Sequence, residues 1–129
     1  MRNELGPVFV IENKQGQIDA INKVKRLIRF TLDQTKILQG FDGKKKHPMN
    51  MCETIINNIH LLITTIDKSS KNTISKDLDY LYKHCLFAIL RVRDHKDYQY
   101  LEGCIQVLNE ITEGWDRVGA AIQKAPAFG

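Results

Sequence analysis

A chain of 129 residues, 43% hydrophobic and 26% charged, is long enough to bury a single-domain core without metal or disulfide staples and too apolar to be disordered. A net charge of +4 permits an acidic partner but does not require nucleic acid, and the one basic run, Lys44-Lys45-Lys46-His47, falls in an expected loop. Three widely spaced cysteines without a Cys-x-x-Cys, no signal peptide and no membrane-length apolar run predict a reduced cytoplasmic protein with no membrane insertion.

Residues 1–16 carry Gly6, Pro7 and Gly16 around the apolar run Val8-Phe9-Val10-Ile11 and read as an N-terminal extended arm or one isolated strand. From Gln17 to Gln39 the spacing is helical, with Ile21, Val24, Leu27, Ile28, Thr31, Leu32, Thr35 and Leu38 on one face. Gly40 and Asp42-Gly43 stop that helix. Pro48 suits the first turn of a second, where its missing N–H costs nothing. That helix runs to about Ile66 with Cys52, Ile55, Ile56, Ile59, Leu62, Ile63 and Ile66 inward.

Asp67 to Asn72 is a polar break. A third helix follows from Thr73–Ser75 to about Arg93, its core stripe made of Ile74, Leu78, Leu81, Tyr82, Cys85, Ala88, Ile89 and Val92. Asp94-His95-Lys96-Asp97 is a turn, with Asp97 the expected cap of a fourth helix. That helix reaches about Ile122 and turns Leu101, Cys104, Ile105, Leu108, Ile111, Trp115, Val118 and Ile122 inward. Four helices with short connections pack most simply as an all-α, antiparallel up-down four-helix bundle over residues 17–124, with 125–129 a tail.

Nothing in the pattern reads as an enzyme, and neither a cofactor nor a metal is expected. His47, His60, His84 and His95 form no i, i+4 pair and no zinc spacing with cysteine, and no Gly-rich phosphate loop occurs. Helical bundles also serve as histidine phosphotransfer domains, so His60 is the residue to weigh. Its neighbours Ile59 and Leu61-Leu62 supply neither the lysine nor the small residue such a site needs, and a solvated edge histidine is the better reading.

The unusual feature is a surplus of apolar residues off the core stripes. Phe30 and Ile37 stand seven apart, roughly opposite the first helix's core face. Tyr80 and Phe87, again seven apart, do the same on the third, with Leu90 beside them and Leu61 off-stripe on the second. Three explanations remain open: incidental exposure, cover by the Val8–Ile11 arm, or a binding surface for a partner helix.

The second half of the chain resembles the flagellar secretion chaperone family FliS. Leu62-Ile63-Thr64-Thr65-Ile66-Asp67 stands where that family ends a helix in Leu-Asp, and Leu78-Asp79-Tyr80-Leu81-Tyr82 where a Leu-Tyr entry opens the next. The Asp94–Asp97 turn and "LNEITEGWDRV", Leu108–Val118, continue the match, with Glu113 and Trp115 in place and Gly114 where threonine is usual. The first helix departs, since Leu27-Ile28-Arg29-Phe30-Thr31-Leu32 keeps only the two leucines of the family's element. The resemblance implies a cytosolic chaperone that binds the disordered C-terminal region of flagellin and masks it against polymerisation. It then hands flagellin to the export apparatus, using no nucleotide or metal. Phe30, Ile37, Tyr80, Phe87 and Leu90 are the residues expected to line its grooves. A helical adaptor for another flagellar protein is the alternative.

Overall fold

The computed structural model describes residues 14–66 and 73–124, so the expected Val8–Ile11 arm and the 125–129 tail lie outside the described residues. Four helices follow in order: α1 (Lys14–Gln39), α2 (Met49–Thr64), α3 (Thr73–His95) and α4 (Leu101–Lys124). Each packs on its neighbours in the ring α1, α2, α3, α4 and back to α1, while the backbones of the two diagonal pairs stay apart. Polar contacts fix the directions. Lys14 Nζ donates to the Gln123 carbonyl at 3.1 Å at one end of the α1–α4 pair, and the Gln39 amide donates to Glu102 at 3.0 Å at the other. Arg93, late in α3, donates to Glu53, early in α2, at 2.9 Å. The architecture is the antiparallel bundle that the periodicity predicts.

The local reasons are legible. The α1 helix stops where Gly40 and Phe41 N–H groups fold back onto Ile37 and Leu38 carbonyls, and Gly43 adopts φ +80, which glycine takes without a Cβ clash. Inside α1, the buried hydroxyls of Thr31 and Thr35 donate to the carbonyls of Leu27 and Thr31, so neither is left unpaired. The basic loop is tied down by His47, whose Nε2 bonds the Arg93 carbonyl at 2.9 Å.

Boundaries differ in three places. The first helix begins at Lys14, taking in three residues of the expected arm. Pro48 is the residue before α2 rather than inside its first turn, its carbonyl accepting from Cys52 N–H. Asp97 does not cap α4, which starts at Leu101; its carboxylate instead accepts from Gln99 N–H and from the Arg91 guanidinium. The cause is a left-handed residue. Lys96, at φ 53, ends α3 by donating to the Val92 carbonyl and turns the chain through Tyr98–Tyr100 before the next helix can begin.

Helix length decides where the core lies. With 26, 23 and 24 residues, α1, α3 and α4 run about 35–39 Å at 1.5 Å per residue, whereas the 16 residues of α2 cover about 24 Å. Buried residues accordingly occupy one slab: 28–38 of α1, 52–63 of α2, 82–92 of α3 and 101–111 of α4. Beyond it, at the start of α1 and α3 and the end of α4, burial fades.

Candidate functional site

At that thinning end the core stripes of α3 and α4 run past their cover. Ile74 and Val118, both expected inward, are 66% and 44% exposed, which corrects the core reading for these two residues. Their angle around the helix points at the bundle, but at their height α2 has ended. The result is an open groove of about 470 Å³ between the start of α3 and the second half of α4. Ile74 and Leu78 form one wall, Trp115 and Val118 the other, and Ile111 closes the inner end. Its surface is almost wholly apolar.

Beneath this groove the phenol of Tyr82 is fully buried, and burial pushes its pKa up to about 12. The Trp115 indole faces that hydroxyl without closing a full hydrogen bond and draws the value back only partly. On the far side of α4, Lys25 and Arg29 of α1 both pair with Asp116 and hold its carboxyl below the usual carboxylate range, the Lys25 contact contributing most.

The five residues expected to line grooves fall on two separate surfaces. Phe30 and Ile37 are exposed on α1; Tyr80, 70% exposed, and Phe87 are exposed on α3. As α1 and α3 stand on a diagonal, their outward faces point to opposite sides of the bundle, and no straight groove serves both. Phe87 is partly engaged, its ring meeting Tyr100 edge-on at 5.1 Å. Leu90 is half-buried against the core. The groove at Ile74–Val118 was missed because its walls read as core.

Alternative chemistries find little here. His60 is exposed and makes no hydrogen bond or ion pair among the described residues. No group of three or more His, Cys, Asp or Glu among the described residues is placed to hold a metal. The three cysteines are free and buried. Burial raises the Cys52 thiol, and the contact with Cys85 together with burial raises that of Cys104, which keeps both protonated and inert at neutral pH. No helix among the described residues is long and apolar enough to cross a membrane.

Comparison with known proteins says which kind of helical bundle this is. The family model described as "Flagellar protein FliS" matches residues 15–122, from the first turn of α1 almost to the end of α4. The chain belongs to the FliS family. It is thus, in general terms, a flagellar export chaperone. The match includes α1, where the sequence departs from the family's usual element. Neither a curated protein nor a solved structure gives a significant match.

Proposed function

We propose that this FliS-family chain is a cytoplasmic chaperone for flagellin. It binds the disordered C-terminal region one-to-one, covers the segment by which subunits polymerise, and releases it at the export apparatus. The observation that carries this reading is the number of large apolar side chains held in water by rigid helices: Phe30, Ile37, Tyr80, Phe87, Ile74 and Val118. Single exposed hydrophobics are ordinary, but groups at helical spacing on several faces mark a surface meant to be covered. Their placement on diagonal helices favours a partner that wraps. A rigid helix reaches one face, whereas a disordered segment folding onto the bundle reaches several and needs that apolar area to offset its ordering cost. Masking by cover is stoichiometric and asks for no nucleotide or metal.

The test is titration calorimetry of the full chain with the last ~40 residues of flagellin from the same organism, a length that would span about 60 Å if helical. The expected result is one-to-one, sub-micromolar binding with a negative heat-capacity change. Phe87→Glu should weaken binding without changing the melting profile. Failure of the wild type to bind any flagellin segment would sink the reading. The departure of Leu27–Leu32 from the family pattern favours, as a second reading, a different exported flagellar protein as the client.

A further inference from the structure

The outward face of α1 carries its own apolar strip. Phe30 and Ile37, 49% and 54% exposed, stand two turns apart on it, about 20° from one another around the helix. Two charges flank them. Arg26 lies one turn before Phe30 and Asp33 three residues after it, about 40° and 60° to the same side. Both are exposed, and neither has an ion pair or hydrogen bond among the described residues. They stand seven residues apart on one helix, about 10 Å along its axis, and do not answer each other. By contrast Lys25 and Arg29, on the flank toward α4, are already held by Asp116.

A face with a cation on one side of an aromatic ring and an anion on the other is complementary to itself. Turned end for end about a twofold axis, two copies of α1 run antiparallel, and each flank of one face meets the same flank of the other. In the register centred between Arg29 and Phe30, Arg26 of each copy comes level with Asp33 of the other. Phe30 then meets its own symmetry mate, offset by about 1.5 Å along the axis. Ile37 comes level with Asn22 and lies over the aliphatic stem of Lys23. The remaining charges leave this register open. Lys36 is level with Lys23 of the other copy but stands about 140° away around the helix, and Asp19 is level with Gly40. A parallel pairing would instead set Arg26 against Arg26 and Asp33 against Asp33, which like charges oppose.

We infer that two copies of this chain pair antiparallel through the outward faces of α1, Phe30 against Phe30 at the centre and two Arg26–Asp33 ion pairs beside it, and that the pair parts before a client covers Phe30 and Ile37. The pairing goes beyond the chaperone reading and does not depend on it; only the competition with a client rests on that reading. A dimer held by one helix from each copy falls at the low end of interface sizes, under about 1,200 Å², and so is weak and reversible. Weakness suits the role. The strip is covered when copies are abundant and idle, and is released at little cost to a partner that covers more area.

The experiment is sedimentation velocity of the full chain from about 5 to about 500 µM, where a monomer–dimer equilibrium with a Kd on the order of 10–100 µM is expected. Arg26→Asp and Asp33→Arg, each alone, should weaken association about tenfold or more, because each turns both ion pairs into like-charge contacts. Mixing the two variants should restore it. One copy then carries only anions at the two positions and the other only cations, so every contact is again between opposite charges. Should a charge variant fail to fold, Phe30→Ala keeps every charge and should still weaken association about tenfold. A chain that stays monomeric to about 500 µM overturns the inference. So does a dimer that folded variants leave within about twofold of wild type, or that mixing fails to restore, because it uses another face. With the ~40-residue flagellin segment in excess, the wild type should sediment as a one-to-one complex, and segment bound to an intact dimer overturns the competition. If no flagellin segment binds, the chaperone reading fails, and the association of wild type and variants still decides the pairing.

Discussion

The two ends of this bundle use the same helices for different purposes. Where Leu38, Cys52, Val92 and Leu101 meet, all four helices are present and every core side chain is covered. At the other end, α1 and α4 remain paired through Lys14 and Gln123, α2 has stopped at Thr64, and α3 carries Ile74 into the open. Helical periodicity is unbroken along α3 and α4 throughout. What changes is whether a neighbour stands at that height. The same apolar stripe is core at one end and exposed at the other.

The sharpest way to break that comparison is to place one charge at both ends of α3. Cys85 and Ile74 lie 11 residues apart, about 20° around the helix, and so share a face. Cys85 is fully buried against α4, its thiol donating to the Cys104 carbonyl at 3.9 Å. Cys85→Glu should lose about 3–5 kcal/mol or abolish cooperative unfolding, because a carboxylate would sit unpaired in the core. Ile74→Glu should stay within about 0.5 kcal/mol of wild type. Equal losses in urea titrations of the two variants would mean the open end is closed in solution.

That contrast also explains what the sequence could and could not reveal. Six of the seven inward residues assigned to α2 are buried, and the off-stripe positions of Phe30, Ile37, Tyr80 and Phe87 correctly marked them as exposed. Periodicity reports the angle around a helix. It does not report where the adjacent helix ends, and so Ile74 and Val118 read as core. That α2 ends at Thr64 is a fact about another element, which no local pattern on α4 carries. Asp97 misled for a different reason: its residue type fits a cap, but the turn set by Lys96 moves the start of α4 to Leu101.

A smaller effect separates the ends electrostatically. The carboxyls of Asp116 at the open end, and of Asp97 and Asp94 at the packed end, are all held below their usual range. Lys25, Arg91 and Arg93 respectively supply the main contact. A depressed folded-state value means each contributes stability above the unfolded pKa of about 3.9, lost as pH falls through the lower folded value. Melting temperature should therefore be flat from pH 7 to about 5 and decline below about pH 4. Asp94 and Asp116 keep nearly half of their side-chain surface in water while Asp97 is largely covered, so the decline is shallow and salt weakens chiefly the contributions of the first two. Asp116→Asn should remove part of it while leaving the packed end unchanged. Amide exchange would show this as faster opening of α1 around Lys25–Arg29 and of the facing part of α4, with α3 unaffected.

The smallest expected change lies in the turn at the packed end. Lys96 holds φ 53 to end α3, a conformation that costs an L side chain about 1 kcal/mol and glycine almost nothing. Its backbone N–H to Val92, not its ammonium, does the capping, and the side chain is exposed without an ion pair among the described residues. Lys96→Gly should therefore raise stability by about 0.5–1 kcal/mol, the relief of strain being partly offset by the greater freedom of glycine in the unfolded chain. Because the turn sits at the far end from the groove, affinity for the flagellin segment should not move. A gain in stability accompanied by altered binding would show that the two ends are coupled through α3 and α4, and the division of the bundle into a packed base and an independent open end would have to be given up.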